Sequence, residues 1–131
     1  MTTLGGAAAL DPSGPDSLTR RALDALHRRN LATLRRAGVH LAIGSDSYRD
    51  DSKVEVQYLH DLGVFTDAEL LQLWAHDTPR AIFPARAIGR LDVGDEASFL
   101  VLDCDPLAKF ACTDSIRLRV KDGRVLPVVA R

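Results

Sequence analysis

The feature that most restricts the fold of this 131-residue sequence is a change of pattern near residue 88. Before it, apolar residues recur mainly at helical spacing, and one short apolar run, VHLAIG at residues 39–44, is predicted as a strand. After it, the segments ASFLVL, SIRLRV and KDGRVLPVV are predicted as strands, and Asp122-Gly123 suits a two-residue hairpin turn. We therefore expect an α/β chain, with a helical region containing one strand at residues 17–88 and a β region at residues 89–131.

The first long helix is expected to begin at Asp16 or Ser17 and to reach Ala37, because Gly38 supplies a stop signal. Three arginines recur every seven residues on its polar face, namely Arg21, Arg28 and Arg35. We interpret this row as a solvated helix face, with anion binding as the alternative.

Two later helix starts are marked by capping residues. Thr66 is followed three residues later by Glu69, which predicts a capping box. Thr78 precedes Pro79, which predicts an N-cap followed by a proline at the first helical position.

Residues 1–16 are rich in glycine, proline and small side chains. Such a composition buries too little apolar surface to offset the cost of ordering the chain. We therefore predict a flexible arm at residues 1–16.

The charge of the chain limits its partners. The formal net charge is -1, so no basic excess exists to bind nucleic acid or an acidic membrane. No basic segment with an apolar core opens the sequence, and no stretch reaches the roughly 18 apolar residues of a membrane span. The prediction is a cytoplasmic protein with neither nucleic acid nor membrane as partner.

The two cysteines, Cys104 and Cys112, lack the spacing of a redox or zinc motif. We expect two reduced, unreactive thiols.

The predicted strand ends in the polar sequence GSDS. Ligands and catalytic groups gather at the carboxyl ends of strands in parallel α/β folds, so Asp46 is a candidate for binding a cation or activating a water. The alternative is that Ser45, Asp46 and Ser47 form a turn that leads into the next helix.

Four segments together resemble the carboxyl-terminal part of the metal-dependent amidohydrolase superfamily, particularly its imidazolonepropionase-like members. They are NLATLRRAGVHLAIGSDS, ELLQLWAHDTPRAIF, IGRLDVGDEASFLVLDCDPL and RVKDGRVLP, within residues 17–129. The resemblance implies an incomplete (β/α)8 barrel, with residues 17–88 as its terminal α-β-α segment and residues 89–131 as strands of a small composite β-sandwich.

The resemblance also implies a chemistry. Asp46 matches the aspartate that contacts the catalytic metal and accepts a proton from the attacking water. The implied reaction is hydrolysis of a carbon–nitrogen bond in a small-molecule amide or cyclic amide, with a divalent metal, zinc first, as cofactor.

The other metal ligands of that family have no match in this chain. The sequence contains no H-x-H motif. His40 precedes Asp46 by six residues, about 20 Å along a strand, whereas a metal lies about 2 Å from each ligand. His27, His60 and His76 fall in helical patterns and are interpreted as surface or packing residues. We therefore expect a chain that is catalytically incomplete and binds no metal alone, with a complementing chain or a second copy as partner.

Two other functions fit parts of the sequence. The segment FLVLDCDPL resembles the nucleophile loop of haloacid dehalogenase-type phosphatases, with Asp103 as nucleophile and Asp105 as acid. The other is a non-catalytic α+β interaction module that pairs through exposed strand edges.

Overall fold

The computed structural model describes residues 4–45 and 51–127. It is a mixed helical and stranded structure divided into two compact units, the first reaching to Trp74 and the second beginning at Ala75. The expected division at residue 88 therefore falls inside the second unit. The helices are α1 Gly5–Ala8, α2 Ser17–Arg36, α3 Lys53–Leu62, α4 Asp67–Gln72 and α5 Thr78–Ile82. The strands are β1 Phe99–Leu102, β2 Ile116–Lys121 and β3 Arg124–Leu126.

Helix α2 confirms the predicted long helix. Its cap residue is Ala37, and Gly38 takes the left-handed φ of 67° that ends a helix without a side-chain clash. Leu31 of α2 is buried, as are the α3 residues Val56, Leu59 and Leu62. Burial of these side chains forms the apolar core of the first unit.

Helix α4 begins with the predicted capping box. The Thr66 hydroxyl accepts a hydrogen bond from the Glu69 N–H at 3.2 Å, and the Glu69 carboxylate accepts one from the Thr66 N–H at 2.8 Å. This second bond is the first cause of the lowered pKa of Glu69.

The predicted N-cap at Thr78 is wrong. Residues Leu73–Asp77 form a π-helical segment that continues directly into α5, and Asp77 has helical angles of φ -72° and ψ -41°. Thr78 is therefore the first residue of α5 and not its cap. Pro79 fits because the first turn of a helix does not need its missing N–H.

Within the run VHLAIG, Ala42 and Ile43 are buried whereas Val39 and His40 are exposed, and the run forms no extended strand in the described residues. Ala42 and Ile43 are 7% and 1% exposed, and Ile43 makes a single bridge. The sheet that the structure describes is instead antiparallel, with order β1-β2-β3. The parallel barrel remains a prediction.

The predicted hairpin is confirmed. Strands β2 and β3 pair antiparallel, with Lys121 opposite Arg124, and the turn residues Asp122 and Gly123 have φ angles of 50° and 72°. Positive φ at both positions matches the type I′ turn, whose twist suits a right-handed hairpin. Strand β1 pairs with β2, and the register shifts between Val101 and Leu102.

Part of the predicted flexible arm is packed within the first unit. Ala7 of α1 is 6% exposed, and the N–H of Leu4 donates to both carboxylate oxygens of Glu55, at 3.0 and 2.8 Å. Glu55 is fully buried in α3. A buried carboxylate needs such donors, so α1 and α3 are linked by a polar contact that composition does not reveal.

The expectation of two free thiols is also wrong. Cys104 and Cys112 form a disulfide, with Cα atoms 5.5 Å apart. A 3₁₀ helix at Phe110–Asp114 turns the chain back and brings Cys112 to Cys104.

Gly89 lies close to the π-helical segment. It has a φ of 87°, and a Cβ at this position would lie 3.0 Å from both the Cα and the carbonyl oxygen of His76. Only glycine fits here without moving a backbone.

Candidate functional site

The candidate catalytic and metal-binding residue, Asp46, lies outside the described residues. Described residues on either side of it belong to the first unit. Ile43 is buried, and Asp51 Oδ1 accepts a hydrogen bond from the N–H of Lys53, the first residue of α3, at 3.0 Å. The indole Nε1–H of Trp74 donates to the Ser52 hydroxyl at 2.8 Å. Ile43 and Ser52 therefore both pack within the first unit.

A polar network within the first unit joins α2 and α3. The hydroxyl of Tyr58, a residue 2% exposed, donates to Asp24 Oδ1 at 2.8 Å. Arg20 Nε donates to the same oxygen at 2.9 Å, and the Arg20 guanidinium lies 4.7 Å from the centre of the Tyr58 ring. Arg20 also donates to the carbonyl of Leu10 at 2.9 Å. This network holds α2, α3 and the chain after α1 together.

The charges in this network shift two pKa values. Burial is the first cause of the raised pKa of Tyr58, and the hydrogen bond to Asp24 adds to it. Burial also raises the pKa of Asp24, but the hydrogen bonds from Tyr58 and Arg20 outweigh it and the pKa is lowered. At neutral pH the network therefore holds an ionised carboxylate and a neutral phenol.

These protonation states fix the role of His27. Its Nδ1 lies 2.8 Å from the Tyr58 hydroxyl, whose hydrogen is already donated to Asp24. Nδ1 must therefore carry a hydrogen and donate it to the phenol oxygen. The lone pair of the neutral ring is then on Nε2. The histidine is a packed side chain, as the helical pattern indicated, and its partner Tyr58 lies on α3.

The arginine row of α2 is not simply a solvated face. Arg28 Nε donates to the carbonyl of Leu62 at 2.7 Å, and Arg35 donates to the carbonyl of Val64 and to Glu69. These carbonyls lie at and just beyond the carboxyl end of α3, where cations are favoured by the helix dipole. Arg28 and Arg35 thus bind groups of the protein itself. This argues against the alternative that these two arginines bind an external anion.

Two of the other histidines lie beside acids. His60 Nε2 lies 3.3 Å from Asp67 Oδ1, and His76 Nδ1 lies 2.6 Å from Asp77 Oδ1. Across residues 4–45 and 51–127, no three His, Cys, Asp or Glu side chains come together as a metal site. These residues therefore do not by themselves fit the zinc that the resemblance implies, and we derive no step through a metal from them.

The two acids of the phosphatase-like segment have structural partners. Asp103 Oδ1 accepts a hydrogen bond from Arg117 Nε at 2.7 Å. Asp105 Oδ1 accepts one from the N–H of Leu107 at 2.8 Å, which is a local turn. Strand β1, which precedes them, lies in an antiparallel sheet. This geometry lends the phosphatase interpretation no support.

Comparison with known proteins adds no family to this description. No protein-family model matches the chain, and no curated protein matches it. Among the helices of the described segments, none is both long and apolar enough to cross a membrane.

Proposed function

We propose that this chain is the carboxyl-terminal part of a metal-dependent amidohydrolase that cleaves a carbon–nitrogen bond in a small amide or cyclic amide. The observation that carries the proposal is the order and spacing of the four amidohydrolase-like segments, above all IGRLDVGDEASFLVLDCDPL followed by RVKDGRVLP. In the complete enzyme, Asp46 would accept the proton of the attacking water, and a divalent metal, zinc first, would supply Lewis acidity.

The local structure of two segments is compatible with the proposal. NLATLRRAG is the carboxyl-terminal part of a long helix that ends just before the buried run containing Ala42 and Ile43. The segment FLVL is β1 of the three-stranded antiparallel sheet, and the Asp122-Gly123 turn connects β2 to β3. Such a sheet is the arrangement expected of a sandwich portion. The barrel itself would need strands from outside this sequence, because a closed barrel requires eight.

The chain is catalytically incomplete alone in this proposal. Catalytic zinc sites use three protein ligands and a water, whereas Asp46 is one carboxylate. A second copy of the chain would repeat the same set and supply no H-x-H pair. We infer that the missing ligands come from a different segment, either of a longer polypeptide or of a complementing chain.

Metal content tests this incompleteness. The purified chain, incubated with zinc and desalted, is expected to retain far less than one ion per chain by elemental analysis and to show no amidase turnover. One tightly held ion per chain, lost in Asp46→Asn but kept in the matched surface variant Asp92→Asn, would show that the chain is complete. Asp92 suits as a control because its side chain is 66% exposed.

The native polypeptide mass tests the proposed origin of the missing ligands. A barrel of about 250 residues plus a sandwich predicts a native mass of roughly 45 kDa in the source cell. A native mass of 14.3 kDa would instead require a co-purifying chain that supplies the missing histidines. A chain of 14.3 kDa that co-purifies with nothing would contradict the proposal.

A non-catalytic interaction module is the second candidate. It is favoured by large apolar side chains on the strands of the second unit, since Leu100 is 55% and Val125 68% exposed. A stable complex or homo-oligomer without metal or amidase activity would distinguish this function from hydrolysis.

A further inference from the structure

One face of the three-stranded sheet carries a concentration of positive charge. Side chains alternate between the faces of a strand, so Arg117, Arg119 and Lys121 of β2 share one face. Arg124 of β3 lies directly opposite Lys121 and joins them. We call these four residues the basic face.

The positive charges of this face are only partly compensated. Arg117 pairs with Asp103 at 2.7 Å. Within the described segments, Arg119, Lys121 and Arg124 make no side-chain ion pair. Lys121 and Arg124 form a direct cross-strand pair of like charge, which destabilises a sheet. An anionic partner would relieve this repulsion.

Arg119 provides a second and independent indication. Its Nε atom is shielded from solvent and has no hydrogen-bond partner among the described residues. Buried donors are normally satisfied, and leaving one unpaired is costly. Leu100 and Leu126 stand opposite Arg119 on the two neighbouring strands, and both are exposed. The guanidinium therefore lies in a partly apolar surface that lacks an acceptor.

We propose that the basic face binds an extended segment of a partner protein with acidic side chains at alternate positions. Arg117, Arg119 and Lys121 repeat at about 6.6 Å along β2, two residues of strand at a time. An extended peptide with acids at i, i+2 and i+4 has the same repeat, so each carboxylate meets one cation. Leu100 and Leu126 add apolar contacts at the flanks.

A protein segment suits this face better than a polyanion. The chain has a net charge of -1, so it lacks the long-range attraction that draws proteins to nucleic acids or anionic membranes. Four cations within two short strands match a few carboxylates at fixed spacing. This binding is independent of the proposed hydrolytic function, because it uses none of the residues assigned to it.

Fluorescence anisotropy tests the proposal with the full chain. The probe is a fluorescein-labelled peptide with the core Glu-Thr-Glu-Thr-Glu, and its control has glutamine at each glutamate. We expect saturable binding of the acidic peptide only, weakening as salt rises. The double variant Arg119→Gln/Lys121→Gln should raise Kd by about tenfold, since two charge contacts are lost.

Matched variants separate charge recognition from misfolding. Arg80→Gln removes an exposed arginine of α5 and should leave Kd unchanged. Lys121→Gln/Arg124→Gln changes only exposed side chains and should weaken binding even if the Arg119 variant fails to fold.

Three results would overturn the proposal. They are no saturable binding by the wild-type chain, an equal loss in Arg80→Gln, or tighter binding of single-stranded DNA or phosphatidylserine vesicles than of the peptide.

Discussion

Tyr58 of α3 donates its only hydroxyl hydrogen to Asp24 of α2 at 2.8 Å, and this single bond decides how the groups around it are protonated. Because the hydrogen is used, the ring of His27 must donate to the phenol oxygen. Helices α2 and α3 are therefore joined by a directional polar network as well as by their apolar side chains.

Tyr58→Phe should destabilise the protein by about 1–3 kcal/mol, because His27 loses its buried acceptor and Asp24 keeps only the hydrogen bond from Arg20. Urea unfolding followed by circular dichroism measures the change. In a double-mutant cycle with Asp24→Ala, the two losses should not add, since both variants break the same bond. Additive losses would show that the hydroxyl and the carboxylate act independently.

The lowered pKa of Asp24 makes the free energy of unfolding depend on pH in the acidic range. Its folded pKa lies below the ordinary value of 3.8, so its ionised form favours the folded state. The stabilisation is complete above the ordinary pKa and is lost as pH falls through the folded pKa. Asp24→Asn should therefore reduce the difference in unfolding free energy between pH 6 and pH 3 relative to the wild type. An unchanged difference in Asp24→Asn would contradict this assignment.

Two glycines should respond to alanine with opposite signs. Gly63 ends α3 at a φ of 64°, where a side chain is strained even though no atom lies within 4 Å of a Cβ. Gly63→Ala should cost about 1 kcal/mol. Gly6 lies within α1 with equally open space, so Gly6→Ala should stabilise by about 0.5–1 kcal/mol. Thermal unfolding of both variants, compared with the wild type, provides the measurement.

The Cys104–Cys112 disulfide should stabilise the protein by about 2–3 kcal/mol, the value for a short closed loop. The double variant Cys104→Ser/Cys112→Ser, compared with the wild type with and without a dithiol reductant, measures this contribution. The reductant should lower the stability of the wild type alone. Thiol titration of the denatured, unreduced wild type should find no free thiol, and finding two would restore the prediction from sequence.

Elements fixed by local chemistry were predictable from the sequence. The capping box of Thr66 and Glu69 and the Asp122-Gly123 turn depend on residues next to one another, so their spacing is enough. Helix α2 was predictable because its stop signal, Gly38, is also local.

Features that depend on the folded chain were not predictable. The pairing of Cys104 with Cys112 requires the turn at Phe110–Asp114, and the partner of Glu55 lies 51 residues away. The acceptor of the Tyr58 hydroxyl lies 34 residues away on another helix. Asp46 was inferred from its place at the end of the predicted strand and from the family resemblance, and the predicted Thr78 cap failed because a π-helical segment carries the helix through it.

Because Gly89 lies close to the backbone at His76, we expect position 89 to tolerate few substitutions in a saturation-mutagenesis library of this protein. Alanine, the smallest replacement, already needs the two main chains to separate, so nearly every codon at this position should be depleted under selection for folded protein. Gly94, which has a φ of 96° but open surroundings, should accept asparagine or aspartate more readily.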